Sequence, residues 1–178
     1  MENVLIVFSL DVQAELMPNT ITNLVAARDY CLNHPVEIVV FTGGLFNQQK
    51  GQTRPAADLM NEWWQVQDRL SHQPRTMCEN VSLITRENVP MVIGKLAQYD
   101  ISLSGCHVVA ISDYWHLLGI RVLFLRLYGK TIRIRSSKFW LPPVYAVERL
   151  AKAVYYLIWP RGGDAKTRKV LRERGGGQ

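Results

Sequence analysis

Between Cys78 and Val89 the chain reads CENVSLITRENV, and Glu79, Ser82, Thr85, Glu87 and Asn88 crowd into ten positions. A strand-to-helix connection needs one or two capping side chains, so this density asks for a further role. Ser82 and Thr85 are hydroxyls that either cap a helix or hydrogen-bond an anionic or hydroxyl-bearing ligand. A helix starting there would add N–H groups that favour anions. Glu79 suits a ribose hydroxyl or an amine, and becomes a base if its pKa is raised. Glu87 and Asn88 fall in or beside the first helical turn, where they would brace the loop rather than touch a ligand.

Two further stretches carry groups of the same kind. Thr42, Gly43 and Gly44 make either a plain turn or a loop whose bare backbone N–H groups approach an anion. They match neither the G-x-x-x-x-G-K-[ST] phosphate loop nor the G-x-G-x-x-G dinucleotide loop. In SDYWH, Ser112 and Asp113 precede His116. Asp113 serves equally well as an N-cap, and a lone histidine at a helix start is commonly structural. His116 is nevertheless the group best suited to acid–base work near neutral pH. Cys31, Cys78 and Cys106 stand far apart, which argues against a disulfide framework or a zinc site. They are expected to be inert thiols, and no metal site is expected.

These residues need elements to hold them. Apolar, β-rich runs at Asn3 to Leu10, Val36 to Phe41, Arg75 to Glu79, His107 to Ser112 and Lys130 to Ile134 read as strands. Helical periods occupy Ile21 to Leu32, with Asn19 or Thr20 as cap, then Pro55 to Leu70, Thr85 to Tyr99, Tyr114 to Tyr128 and Val144 to Trp159. Pro90 must lie near the start of its helix or kink it. The strict alternation predicts a three-layer α/β domain with a mainly parallel sheet of about five core strands. In such sheets ligands bind beyond the carboxyl ends of the strands. Asp11, Thr42 to Gly44, Glu79 to Thr85, Ser112 to His116, and Ser136 with Ser137 all follow strands. The three central stretches are therefore expected to share one pocket.

The order T-G-G, then E-x-x-S-x-x-T-x-E-N from Glu79 to Asn88, then S-D-Y-W-H resembles the YdcF-like (SanA/ElyC-type) family of bacterial domains of unknown function. The likeness covers roughly Asn3 to Arg135. It implies a Rossmann-like fold, a pocket at those three loops, and S-adenosylmethionine as one candidate cofactor. It also implies a link, in some relatives, to envelope biogenesis. The chain departs from the pattern at Ile84, where the family has Asn, at the SLDVQ turn after the first strand, and at Arg54-Pro55. It departs again at Gly119, where the family has Arg; Arg121 is the nearest substitute.

At 178 residues, 48% hydrophobic and 20% charged, the chain can bury a full core. No secretory signal or membrane-length apolar run is evident, so a cytoplasmic protein is expected. Residues 1–159 read as one domain and 160–178 as a basic, flexible tail. Of the net charge of +6, +4 lies in that tail, which has six basic residues against two acidic ones. The domain itself lacks the basic balance of a nucleic-acid surface, and nucleic acid is not an expected partner. Two readings follow. One is a small-molecule site for a nucleotide-like or phosphorylated ligand, with Thr42, Gly43, Gly44, Ser82, Thr85, Ser112 and Asp113 binding and His116 and Glu79 acting on it. The other is a non-catalytic envelope or regulatory protein whose amphipathic Val144 to Trp159 segment and tail touch a partner or an anionic membrane. For that segment, packing of its apolar face on the sheet is the simpler expectation.

Overall fold

The apolar runs assemble into one five-stranded sheet in the computed structural model, which describes residues 2–67, 70–137 and 143–159. The strands are β1 (Glu2–Phe8), β2 (Ile38–Thr42), β3 (Arg75–Glu79), β4 (Cys106–Ser112) and β5 (Arg133–Ser136). Their order is β3-β2-β1-β4-β5, and every neighbouring pair is parallel. The helices are α1 (Pro18–Asn33), α2 (Ala56–Gln65), α3 (Thr85–Ala97), α4 (Tyr114–Tyr128) and α5 (Pro143–Ile158). This is the three-layer α/β architecture expected from the alternation.

Side-chain alternation along each strand sorts the core into two layers. Val4, Ile6 and Phe8 of β1 pack with Val89, Val92 and Leu96 of α3 and Leu117, Ile120 and Phe124 of α4. Leu5 and Val7 point the other way, toward Leu24 and Ala27 of α1 and Met60 and Trp64 of α2. With both faces of β1 buried, truncating Ile6 to Ala would cost about 2–5 kcal/mol. Successive strands step outward from β1 through β2 to β3, and the chain then crosses to β4 and β5 on the other side. The reversal falls between β1 and β4, which opens a crevice at their carboxyl ends.

Several boundaries differ from expectation for local reasons. β5 begins three residues later than expected, at Arg133. Gly129 ends α4 in the left-handed region at φ 65°, and the Lys130 ammonium donates to the carbonyls of Leu103 and Cys106. That turn must close before the strand can pair. Neither Asn19 nor Thr20 caps α1; Met17 holds the cap position without a side-chain bond, and Pro18 opens the helix. The Thr20 hydroxyl instead donates to the Asp11 carbonyl and accepts from the N–H groups of Leu10 and Asp11, tying down the β1 exit. Pro90 sits inside α3, which runs on through it to Ala97.

The clearest correction concerns α5. Its apolar face does not pack on the sheet. α3 and α4 already cover that side, so α5 lies on α4 through buried Ala153 and through Tyr156, whose ring meets Gly119. Val147 is 68% exposed and Ile158 53%. No described helix is long and apolar enough to cross a membrane. The tail at 160–178 lies outside the described residues.

Candidate functional site

Three loops at the carboxyl ends of β2, β3 and β4 are sewn together by hydrogen bonds. Glu79, at the end of β3, is buried and accepts four of them. Its Oε1 takes the N–H groups of Val81 and Ser82, both at 2.9 Å, and its Oε2 takes the hydroxyls of Thr42 at 2.6 Å and Ser82 at 2.5 Å. Glu79 is thus committed to shaping the loop. A carboxylate so occupied does not serve as the ligand-facing base expected of it.

The two glycines are required by close approach rather than by an anion. The Gly43 N–H donates to the Glu79 carbonyl and the Gly44 N–H to the Ser82 carbonyl, so neither faces the pocket as a bare donor. Their own carbonyls accept from Ala57 and Ala56 and close the start of α2. Gly43 has φ +143°, and a Cβ there would lie 2.3 Å from Ser9 Oγ. A Cβ on Gly44 would lie 2.8 Å from the Ser82 carbonyl oxygen.

The third loop leads into α4. The Asp113 side chain caps this helix by accepting from the His116 N–H at 2.9 Å. That cap orients the imidazole. Nδ1 lies 2.9 Å from Ser112 Oγ and Nε2 lies 3.0 Å from Thr85 Oγ1, while Phe8 meets the ring edge-to-face. Burial first, then the charges of Arg149 and Lys152, pushes the His116 pKa well below its ordinary value. The ring is therefore neutral at physiological pH. When Nδ1 carries the proton it donates to Ser112, and Nε2 accepts from the Thr85 hydroxyl. The site then offers a neutral base and a polarised hydroxyl rather than a group that titrates near pH 7.

Around this centre lies a pocket of about 330 Å³. Ser9 and Leu10 enter from the exit of β1, Gly43 from the exit of β2, Ser82 to Arg86 from the β3–α3 connection and the first turn of α3, and His116 from the first turn of α4. Asn88 is buried and also lines it, whereas Glu87 turns back to accept from the Leu83 N–H at 2.9 Å. Of the expected bracing pair, Glu87 braces and Asn88 faces the pocket. Ile84, Thr85 and Arg86 at the start of α3 line this space, and near a helix start the dipole favours negative charge.

The wall that sequence reasoning missed comes from α5. Arg149, Lys152, Tyr155 and Tyr156 line the pocket opposite the loops. The Arg86 guanidinium lies 4.8 Å from the Tyr155 ring centre and 5.0 Å from that of Tyr156. Among the described residues that line the pocket, none is acidic. The spacing of 149, 152, 155 and 156 marks one helical face, a signal present in the sequence. Nothing local says which pocket that face overlies.

The remaining expected residues lie outside the pocket wall. Thr42, Gly44, Ser112 and Asp113 stand behind it as supports. Asp11 holds the β1 exit loop, its Oδ1 accepting from the Asn47 amide at 3.2 Å. Arg121 is exposed and borders a separate hollow with His107 and Lys130, at the opposite end of β4. It does not replace the arginine that the family pattern has at Gly119. Burial pushes the thiols of Cys31 and Cys78 up, to about 12 and about 11, which removes both as nucleophiles. Comparison of the chain with protein-family models, with curated proteins and with solved structures gives no match.

Proposed function

We propose that the chain binds a phosphorylated small molecule in the pocket at the crevice between β1 and β4. The observation that carries this reading is that Arg149 and Lys152 of α5 line the same pocket as Ile84, Thr85 and Arg86 at the start of α3. Cations on one side and helix N–H groups on the other suit a phosphate between them. In the other tautomer, with the ring proton on Nε2, Thr85 accepts from His116 and its own hydroxyl hydrogen is free to donate to the same phosphate; Tyr155 and Tyr156 add aromatic wall beside an attached organic portion. The volume of about 330 Å³ is at the small end of ligand pockets, in the range of a nucleotide or sugar phosphate.

The motif resemblance points to S-adenosylmethionine as well. Its sulfonium cation would meet Arg149 and Lys152 in a wall without acidic residues, although Lys152 also pairs with Glu148 outside the wall at 2.5 Å, so a phosphorylated metabolite is the better match. The Thr85–His116 pair adds an acid–base group beside the phosphate position.

Calorimetric titration with adenosine monophosphate, a hexose phosphate and S-adenosylmethionine tests the reading. A phosphorylated ligand should bind, and at 100 times its dissociation constant should stabilise the fold by about 2.7 kcal/mol. Arg149→Ala with Lys152→Ala should abolish that binding while leaving the fold intact. Binding of S-adenosylmethionine in preference to the phosphates would overturn the assignment, as would phosphate binding that the double variant leaves unchanged.

A further inference from the structure

One side of α5 lines the pocket, and another carries Val144, Val147, Leu150, Val154, Leu157 and Ile158 to solvent. The spacing is that of a continuous helical stripe, and each of these side chains is exposed. A surface helix normally buries its apolar stripe. Among the described residues, the contacts of α5 run through Ala153, Tyr156 and the pocket side instead.

A second copy of the chain is a poor cover for it. Sixteen residues make a helix about 24 Å long and about 10 Å wide. One such face has a footprint of roughly 240 Å², so other elements would have to extend it to reach the roughly 800 Å² per partner of a stable interface. The charge and aromatic pattern suits a different surface. Trp159, 55% exposed, directly follows the last residue of the helix; such an aromatic favours the headgroup level of a bilayer. Directly beyond Trp159 the sequence from 160 to 178 carries Arg161, Lys166, Arg168, Lys169, Arg172 and Arg174 against Asp164 and Glu173. An apolar stripe joined to a basic segment is complementary to an anionic lipid surface.

We infer that α5 is a docking helix that lies in the plane of an anionic bilayer, with its outer stripe in the acyl boundary and the basic segment on the headgroups. The inference stands apart from the pocket reading, because the stripe residues are not pocket residues.

The full chain is sedimented with vesicles of phosphatidylcholine alone and of phosphatidylcholine with phosphatidylglycerol, beside Val147→Asp and Leu157→Asp. The wild type should partition onto the mixed vesicles in preference to the neutral ones. Each Asp variant should lose at least about tenfold in partitioning, with its melting temperature unchanged. Absence of wild-type binding overturns the proposal, and so does equal binding to neutral vesicles. Unchanged partitioning of both variants would overturn it too, since the basic segment alone would then account for the association. Sedimentation velocity adds one more contrary outcome, a wild-type dimer that the variants dissociate. None of these results alters the phosphate titration, so the two readings fail separately.

Discussion

Thr85 Oγ1 stands 3.0 Å from His116 Nε2, although 31 positions separate the two residues. The contact joins the start of α3 to the start of α4 and places a hydroxyl and a neutral imidazole at the floor of one pocket. It exists because β3 and β4 both end at the same edge of the sheet, and because the Asp113 cap turns the imidazole toward α3.

That buried imidazole makes stability depend on pH in a defined direction. Its pKa in the fold lies well below 6.5, whereas the unfolded chain titrates near 6.5. Below that value the unfolded state takes up a proton that the folded state refuses. Stability is therefore full above about pH 6.5 and falls as the pH drops, by up to about 1.4 kcal/mol per pH unit. Urea midpoints of the wild type and His116→Asn, measured from pH 7.5 down to about 5.5, should converge as the wild type weakens. Parallel curves would mean that His116 titrates normally.

The charges of Arg149 and Lys152 contribute to the same shift after burial. Replacing both with Gln should move the His116 pKa upward toward its ordinary value, followed by the imidazole resonances in an NMR titration. Burial remains, so the return should be partial. An unmoved resonance would place the two cations too far from the ring to matter.

Glu79 holds the loop through four donors. Glu79→Gln keeps the shape but removes the charge and one acceptor atom. The expected loss is about 1–3 kcal/mol, the range for leaving buried partners poorly met. A change in the urea midpoint worth less than about 0.5 kcal/mol would show that the loop is held by other means.

Gly43 combines a positive φ with a Cβ position 2.3 Å from Ser9 Oγ. Gly43→Ala should therefore destabilise by about 1–3 kcal/mol. Adding Ser9→Ala removes the hydroxyl clash but not the backbone strain, so the double variant should recover only part of the loss. Complete recovery in a thermal melt would mean that the backbone angle costs nothing.

Periodicity is a local property, and it is enough to locate the strands and helices within about three residues, except that α2 stops at Gln65 where the helical period runs on to Leu70. The rule that parallel strands deliver their exits to one edge was enough to bring Gly43, Ser82, Thr85 and His116 together. What each group does there depended on partners far along the chain. Glu79 reads as a base until Thr42, Val81 and Ser82 are seen to occupy both its oxygens. The N–H groups of Gly43 and Gly44 read as anion donors until the carbonyls of Glu79 and Ser82 take them. Strand order, too, is set by pairing across the sheet, which no window of sequence contains. α5 shows the same division most sharply. Its sequence prescribes an amphipathic helix, but a helix can turn either face inward. α4 was already lying over the sheet, so the side carrying Arg149 and Lys152 faces the pocket and the apolar stripe faces outward.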